Sequence, residues 1–176
     1  MLIRLDPSDQ NGLTLMDGDR EALLLGSLLT LYFDNGHTPE GRRAVVECFE
    51  DYQAVCGQHL RWVADSKLSG WHDITKSPSP SPKHWLPSYP DESWEFTYHG
   101  SQKHDAASAF EVQALGSASW EAGRGKLSYL RAHLPLSWCM ERPEAFIDLA
   151  VKWCSKLCPV YGYGSIGILV PSSEFS

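Results

Sequence analysis

The stretch PEAFIDLAVKWCSKLCPVYGYGSIGILV, from Pro143 to Val170, decides how the rest of the chain is read. Pro143 is pre-set for a first helical position, and Glu144 suits the positive end of the helix dipole. Phe146, Leu149, Ala150, Trp153 and Leu157 then recur at three- and four-residue steps, which predicts a helix with one apolar face. Asp148 and Lys152 make an i,i+4 pair on its wet side. Pro159 ends the helix, Gly162-Tyr163-Gly164 reads as a tight turn, and GSIGILV (Gly164–Val170) reads as a strand.

The same order of signals occurs upstream. ALLLGSLLTLYFDNG (Ala22–Gly36) reads as a strand, since Leu29, Leu31 and Phe33 lead into an Asp-Asn-Gly stop. Thr38, Pro39 and Glu40 open a helix whose apolar face is Val45, Cys48, Phe49, Tyr52 and Cys56, and Gly57 stops it. HLRWVAD (His59–Asp65) follows as a short strand with Leu60 and Trp62 on one side. Between the two helices, SWEFTYHG (Ser93–Gly100) and SAFEVQALG (Ser108–Gly116) alternate apolar and polar residues, as half-buried antiparallel neighbours do. KLSYLRAHLPLSW (Lys126–Trp138) gives a further strand after a turn at Gly123–Gly125. The fold class predicted is α+β: a mixed, mostly antiparallel sheet with two main helices packed on one face. Its two strand–helix–strand halves suggest a pseudo-duplication. Residues 1–176 make a single domain, and residues 1–12 read as a loose leader.

The segment from Ser66 to about residue 92 breaks this pattern. SPSPSPKHWLPSYPD is rich in proline, which removes backbone donors and disfavours helix and central strand. It reads as an extended surface loop with Trp71 and Trp85 pinning its ends, long enough to suggest a function.

Composition narrows the function classes. Hydrophobic residues make up 43% and charged residues 21%, as in an ordinary soluble globular protein. No apolar run approaches the ~20 residues needed to span a bilayer. The N-terminus, MLIRLDPSDQNG, has no apolar signal-peptide core, so a cytoplasmic location is expected. The formal net charge of −7 argues against direct nucleic-acid binding, which needs a basic patch. It either keeps the chain soluble or steers it towards a basic partner. Oligomeric state is not legible.

No catalytic constellation, metal set or cofactor motif emerges. Cys154 and Cys158 lie four apart but lack partner ligands, and with Trp153 and Leu157 beside them they read as buried, reduced thiols. Seven histidines are scattered without ligand spacing. Asp17, Asp19 and Glu21 lack the spacing of a calcium loop. Gly162, Gly164 and Gly167 precede a strand rather than following one, which reverses the context of a phosphate-binding loop. Two alternatives stay open. One is a cysteine-dependent enzyme using Cys139 or Cys154 with a histidine such as His133. The other is a ligand-binding module with a pocket near Tyr161 and Tyr163.

LPLSWCMERPEAFIDLAVKWCSKLCPVYGYGSIGI (Leu134–Ile168) resembles the type VI secretion immunity proteins, whose best-known members neutralise nuclease toxins of the VRR-NUC kind. Leu134-Pro135, Trp138, the helix with Phe146 and Trp153, Pro159 and Gly162-Tyr163 carry the resemblance. Leu29–Tyr52 looks like that family's first strand and helix. Family chains run on past this point, so a shortened member is one reading. The resemblance implies an inhibitor rather than an enzyme, with no catalytic residue and no cofactor. Its partner would be a cognate toxin, a nuclease first of all, and neither nucleic acid nor membrane. On this reading the toxin meets the Pro/Ser loop and its acidic exit, with Trp85 as anchor and Asp91, Glu92 and Glu95 steering a basic surface.

Overall fold

The computed structural model of the chain describes residues 2–4 and 14–172. In chain order it contains β1 (Leu2–Arg4), β2 (Thr14–Asp17), β3 (Arg20–Phe33), α1 (Pro39–Cys56), β4 (Trp62–Asp65), β5 (His72–Asp73), β6 (Trp94–His99), β7 (Glu111–Gly116), α2 (Ser119–Ala122), β8 (Ser128–Pro135), α3 (Leu136–Glu141), α4 (Pro143–Leu157) and β9 (Tyr161–Leu169). The strands form one sheet in the order β1-β2-β3-β8-β7-β6-β4-β5, with β9 on β3. Every pairing among the described residues is antiparallel, so the expected α+β class holds with a sheet that is antiparallel rather than mixed. The leader expected over residues 1–12 lies outside the described residues apart from β1.

β3 is the axis of the fold. β8 pairs with it from Gly26↔Pro135 to Phe33↔Ser128, and β9 pairs with it from Leu24↔Leu169 to Tyr32↔Tyr161. The two strands cover the same residues of β3, so they flank it on opposite sides. Side chains alternate across a strand. Leu29, Leu31 and Phe33 therefore share one face with Leu130, Ala132 and Leu134, and this face carries the core.

Both main helices pack on that face. Thr38 caps α1, its hydroxyl accepting from the Gly41 amide at 3.0 Å, with Pro39 in the first turn. Phe49 reaches Phe96 and Tyr98 at ring separations of 5.4 and 4.7 Å. Gly57 does not stop the chain in a left-handed turn; it is right-handed (φ −58°), and the helix runs on as a 3-10 turn over Gly57–His59. α4 buries Leu149, Trp153 and Leu157. Each aromatic or leucine buried here contributes about 1.5–3 kcal/mol relative to exposure. Lys156 ties α4 to α1 through ion pairs with Asp51 at 2.7 Å and Glu47 at 3.9 Å. α4 ends at Cys158, which is left-handed (φ 47°, ψ 58°).

Three local expectations change. The strand read over Lys126–Trp138 stops at Pro135, and Leu136–Glu141 turns into a short helix. In β4 the buried residues are Val63 and Asp65, whereas Trp62 faces the other way and donates its Nε1–H to the Ser101 carbonyl at 3.1 Å. Gly162-Tyr163-Gly164 is no turn; all three lie in β9. A Cβ on Gly164 would meet the Phe146 ring at 3.5 Å, an ordinary van der Waals contact, so α4 lies over this part of the strand. The two strand–helix–strand halves are not equivalent. α1 links β3 to β4 across three intervening strands, whereas the α3–α4 connection links β8 to β9 across β3 alone.

Candidate partner-binding surface

The Pro/Ser loop is clamped onto α1 rather than extended into solvent. Leu86 is fully buried, and 3-10 turns form at Pro82–His84 and Leu86–Ser88. Arg42 of α1, itself buried, donates to the carbonyls of Tyr89 and of Pro90, the latter at 2.9 Å. Upstream, Asp73 accepts from the Thr75 amide and hydroxyl and pairs with Arg61 at 3.3 Å. Those hydrogen bonds, the Thr75 hydroxyl first, hold its carboxyl down at about 2.

Of the four residues expected to meet a partner, one is turned inward. Trp85 is only 9% exposed and stands edge-on to Tyr89 at 5.4 Å, so it anchors the loop to the core, not a toxin to the loop. Asp91, Glu92 and Glu95 are all exposed. Asp91 accepts from both the amide (2.8 Å) and the hydroxyl of Ser119, which keeps its carboxyl below the usual range. Next to it, Ser93 donates its hydroxyl to Glu121, which also accepts from Lys126 at 2.5 Å. The loop exit and α2 are thereby fastened into one unit.

That fastening presents a residue the sequence reading passed over. Trp120, in α2, is 60% exposed and carries the Arg124 guanidinium over its ring at 5.2 Å. The available signal was a lone tryptophan in GSASWEAGRG, a segment with turn residues on both sides and no period that would bury it. A shallow hollow of about 460 Å³ adjoins it, lined by Asp34, Asn35, His37, Ser119, Ala122 and Gly123.

On the sheet face turned from the helices, a row of tyrosines crosses three strands. Tyr32 stacks on Tyr161 at 4.6 Å and leans against Tyr129 at 6.2 Å. Register places Tyr161 and Tyr163 with Tyr32 and Thr30 on this same face, away from the helices. Beside them lies a cavity of about 430 Å³ lined by Glu95, Tyr129, Arg131, Tyr163 and the buried pair Glu111 and His133. Burial raises the Glu111 carboxyl to about 7, while the Ser172 hydroxyl donates to it at 2.6 Å. Burial also lowers His133 to about 3. The 3.6 Å contact between them therefore joins a neutral imidazole to a carboxyl, and is no ion pair at neutral pH.

The cysteines divide differently from expectation. Cys48 and Cys56 are buried and burial pushes their thiols up, but Cys154 and Cys158 are exposed. Cys139 and His133 do not meet as a catalytic pair. Cys139 lines a groove of about 230 Å³ on the helix side with Ser27, Phe146 and Ile166, whereas His133 opens into the cavity on the other side of the sheet. Burial holds the Cys139 thiol up as well. Among the described residues no group of three or more His, Cys, Asp and Glu side chains is placed to hold a metal, and no helix is long and apolar enough to cross a membrane.

Comparison with known proteins gives two findings. The TsiV family, described as type VI immunity for VRR-NUC, matches residues 44–176. A solved structure described as Pseudomonas aeruginosa T6SS protein PA0821 superposes with a TM-score of 0.81 at 24% identity. The superposition covers 89% of this chain and 44% of that one, so this chain spans less than half the length of its structural neighbour. No curated protein matches the chain.

Proposed function

The chain belongs to the TsiV family of type VI immunity proteins for VRR-NUC, and from that premise we propose that it binds and inhibits a cognate type VI secretion toxin, a nuclease. The observation that carries this reading is the family match across residues 44–176. The action is steric: a rigid domain covers the toxin's catalytic cleft or its nucleic-acid groove. It does so in the cytoplasm, where a nuclease finds its substrate. The chain itself performs no chemistry, and the separation of Cys139 from His133 by the sheet counts against the cysteine-enzyme alternative.

The docking surface is the unit formed by the loop exit and α2. A nuclease groove that accepts phosphates is basic, and Asp91, Glu92 and Glu95 offer exposed charge of the opposite sign. Trp120 supplies the exposed aromatic anchor that Trp85 cannot. The experiment is binding of the purified toxin, with protection of toxin-expressing cells as second readout. Trp120→Ala is expected to raise the dissociation rate by roughly 30-fold, as for a hot spot of about 2 kcal/mol. Glu92→Lys/Glu95→Lys is expected to slow association, and less so at high salt. Parental kinetics in both variants would remove this surface from the interface. Parental nuclease activity in the presence of the unmodified chain would remove the function.

A further inference from the structure

β9 is an edge strand without the usual protection. Among the described residues it pairs only with β3, and its other side has no backbone partner. Proteins blunt such edges with charge, proline or a covering element. The sequence from Tyr161 to Leu169, YGYGSIGIL, contains no charged residue and no proline. Ile166 and Ile168 are 58% and 61% exposed. The apolar surface continues onto the helices, where Met140, Ile147 and Val151 are also exposed. Helical spacing puts Ile147 and Val151 on the flank of α4 opposite Lys156, which is bound to α1.

We propose that this edge is the interface with a second copy of the chain, the two β9 strands pairing antiparallel about a two-fold axis at Ser165. The sequence of the strand carries the argument. An axis at Ser165 sets Tyr161 against Leu169 of the other copy, Gly162 against Ile168, Tyr163 against Gly167 and Gly164 against Ile166. Every glycine of the strand then faces a large side chain, on both faces of the sheet. This axis also pairs all nine residues of the strand, about 30 Å of edge. Moving the axis by one residue sets Gly164 against Gly164 or Ile166 against Ile166 and shortens the paired stretch from nine residues to seven. A two-fold interface must be self-complementary in this way.

Charge selects the same occupant. The chain carries −7 overall, so two copies meet with least local repulsion where the contact is uncharged, and β9 is uncharged throughout. A basic nuclease has nothing to pair with there. The acidic loop exit lies on other elements, β6 and the segment before it, so the toxin surface and the self-association surface are separate.

The test uses the full chain without toxin, so its outcome is independent of the inhibitor reading. Sedimentation or light scattering over micromolar concentrations is expected to give twice the monomer mass of 19.7 kDa. Ile166→Lys/Ile168→Lys is expected to run as a monomer with an unchanged melting curve, since both side chains already face solvent. Register is read in a Cys154→Ser/Cys158→Ser background. There Ser165→Cys is expected to form a disulfide-linked dimer readily, because the axis places that residue opposite itself. Tyr163→Cys is expected to cross-link poorly, its two copies lying about 13 Å apart along the strands. A parent at monomer mass, a dimer that survives the double lysine change, or equal cross-linking of the two cysteines would overturn the proposal. So would a monomer whose β9 amides become protected only on adding toxin, which would give the edge to the toxin.

Discussion

Asp91 grips Ser119 by two hydrogen bonds, from its amide at 2.8 Å and from its hydroxyl. The two residues are far apart in sequence, and this grip makes the loop exit and α2 a single surface. Together with the Ser93–Glu121 contact it holds Trp120 on a four-residue turn that is too short to hold itself.

Asp91→Ala is therefore expected to accelerate hydrogen exchange at the Ser119 amide and to weaken toxin binding. Asp91→Asn keeps an oxygen for the Ser119 amide and should restore the protection. It should not restore the association rate at low salt, because the steering charge is gone. Exchange mass spectrometry and binding kinetics on the same variants separate the two roles.

Gly116 lies opposite Trp94 in the β6–β7 ladder, and a Cβ there would enter the Trp94 indole. Trp94 is 1% exposed and donates its Nε1–H to the Gly36 carbonyl at 3.1 Å, so it has nowhere to retreat. Gly116→Ala is expected to destabilise the chain by about 1–3 kcal/mol, as overpacking does. Urea unfolding monitored by tryptophan fluorescence measures it.

Cys158 occupies the left-handed position that ends α4, where glycine is the usual residue. Cys158→Gly removes the clash of Cβ with the following carbonyl, offset in part by the freedom glycine adds to the unfolded chain. A net gain of about 0.5–1 kcal/mol is expected, read as a higher melting temperature. Cys158→Ala should give no such gain.

Three buried groups with large shifts dominate the pH dependence between about pH 5 and 7. Burial lowers His133 to about 3 and His99 to about 4, both from 6.5. The unfolded chain binds protons that these imidazoles refuse, so each contributes stability that grows as pH rises towards 6.5. Glu111 runs the other way. Its carboxyl is raised from 4.5 to about 7, so its contribution is full at low pH and is lost as pH rises through that range. Two histidines outweigh one carboxyl, and stability should rise between about pH 5 and pH 6.5. Glu111→Gln removes the opposing slope. It should steepen that rise and leave the variant more stable than the parent by up to about 3 kcal/mol above pH 7. Denaturant midpoints across this pH range test both statements.

The sequence by itself determined the elements that rest on local chemistry. Thr38, Pro39 and Pro143 start helices wherever they stand, and period two in Ser93–Gly100 and Ser108–Gly116 marks strands because side chains alternate across the pleat. The α+β class followed from these, and residues Leu134–Ile168 carried the family resemblance. What only the tertiary structure decided were relations between distant segments. Trp85 looked like a surface anchor because a proline-rich stretch gives no burial period; Arg42 and α1 turn it inward. Gly162-Tyr163-Gly164 looked like a turn because glycine permits one, but β3 offered nine residues of ladder and drew it into an edge strand. Cys154 and Cys158 looked buried from their neighbours Trp153 and Leu157, whereas a helix buries only one flank and theirs is left exposed. Trp120 became visible only through Asp91. Local propensity is written in neighbouring residues, but burial and exposure depend on which distant element arrives to cover a side chain.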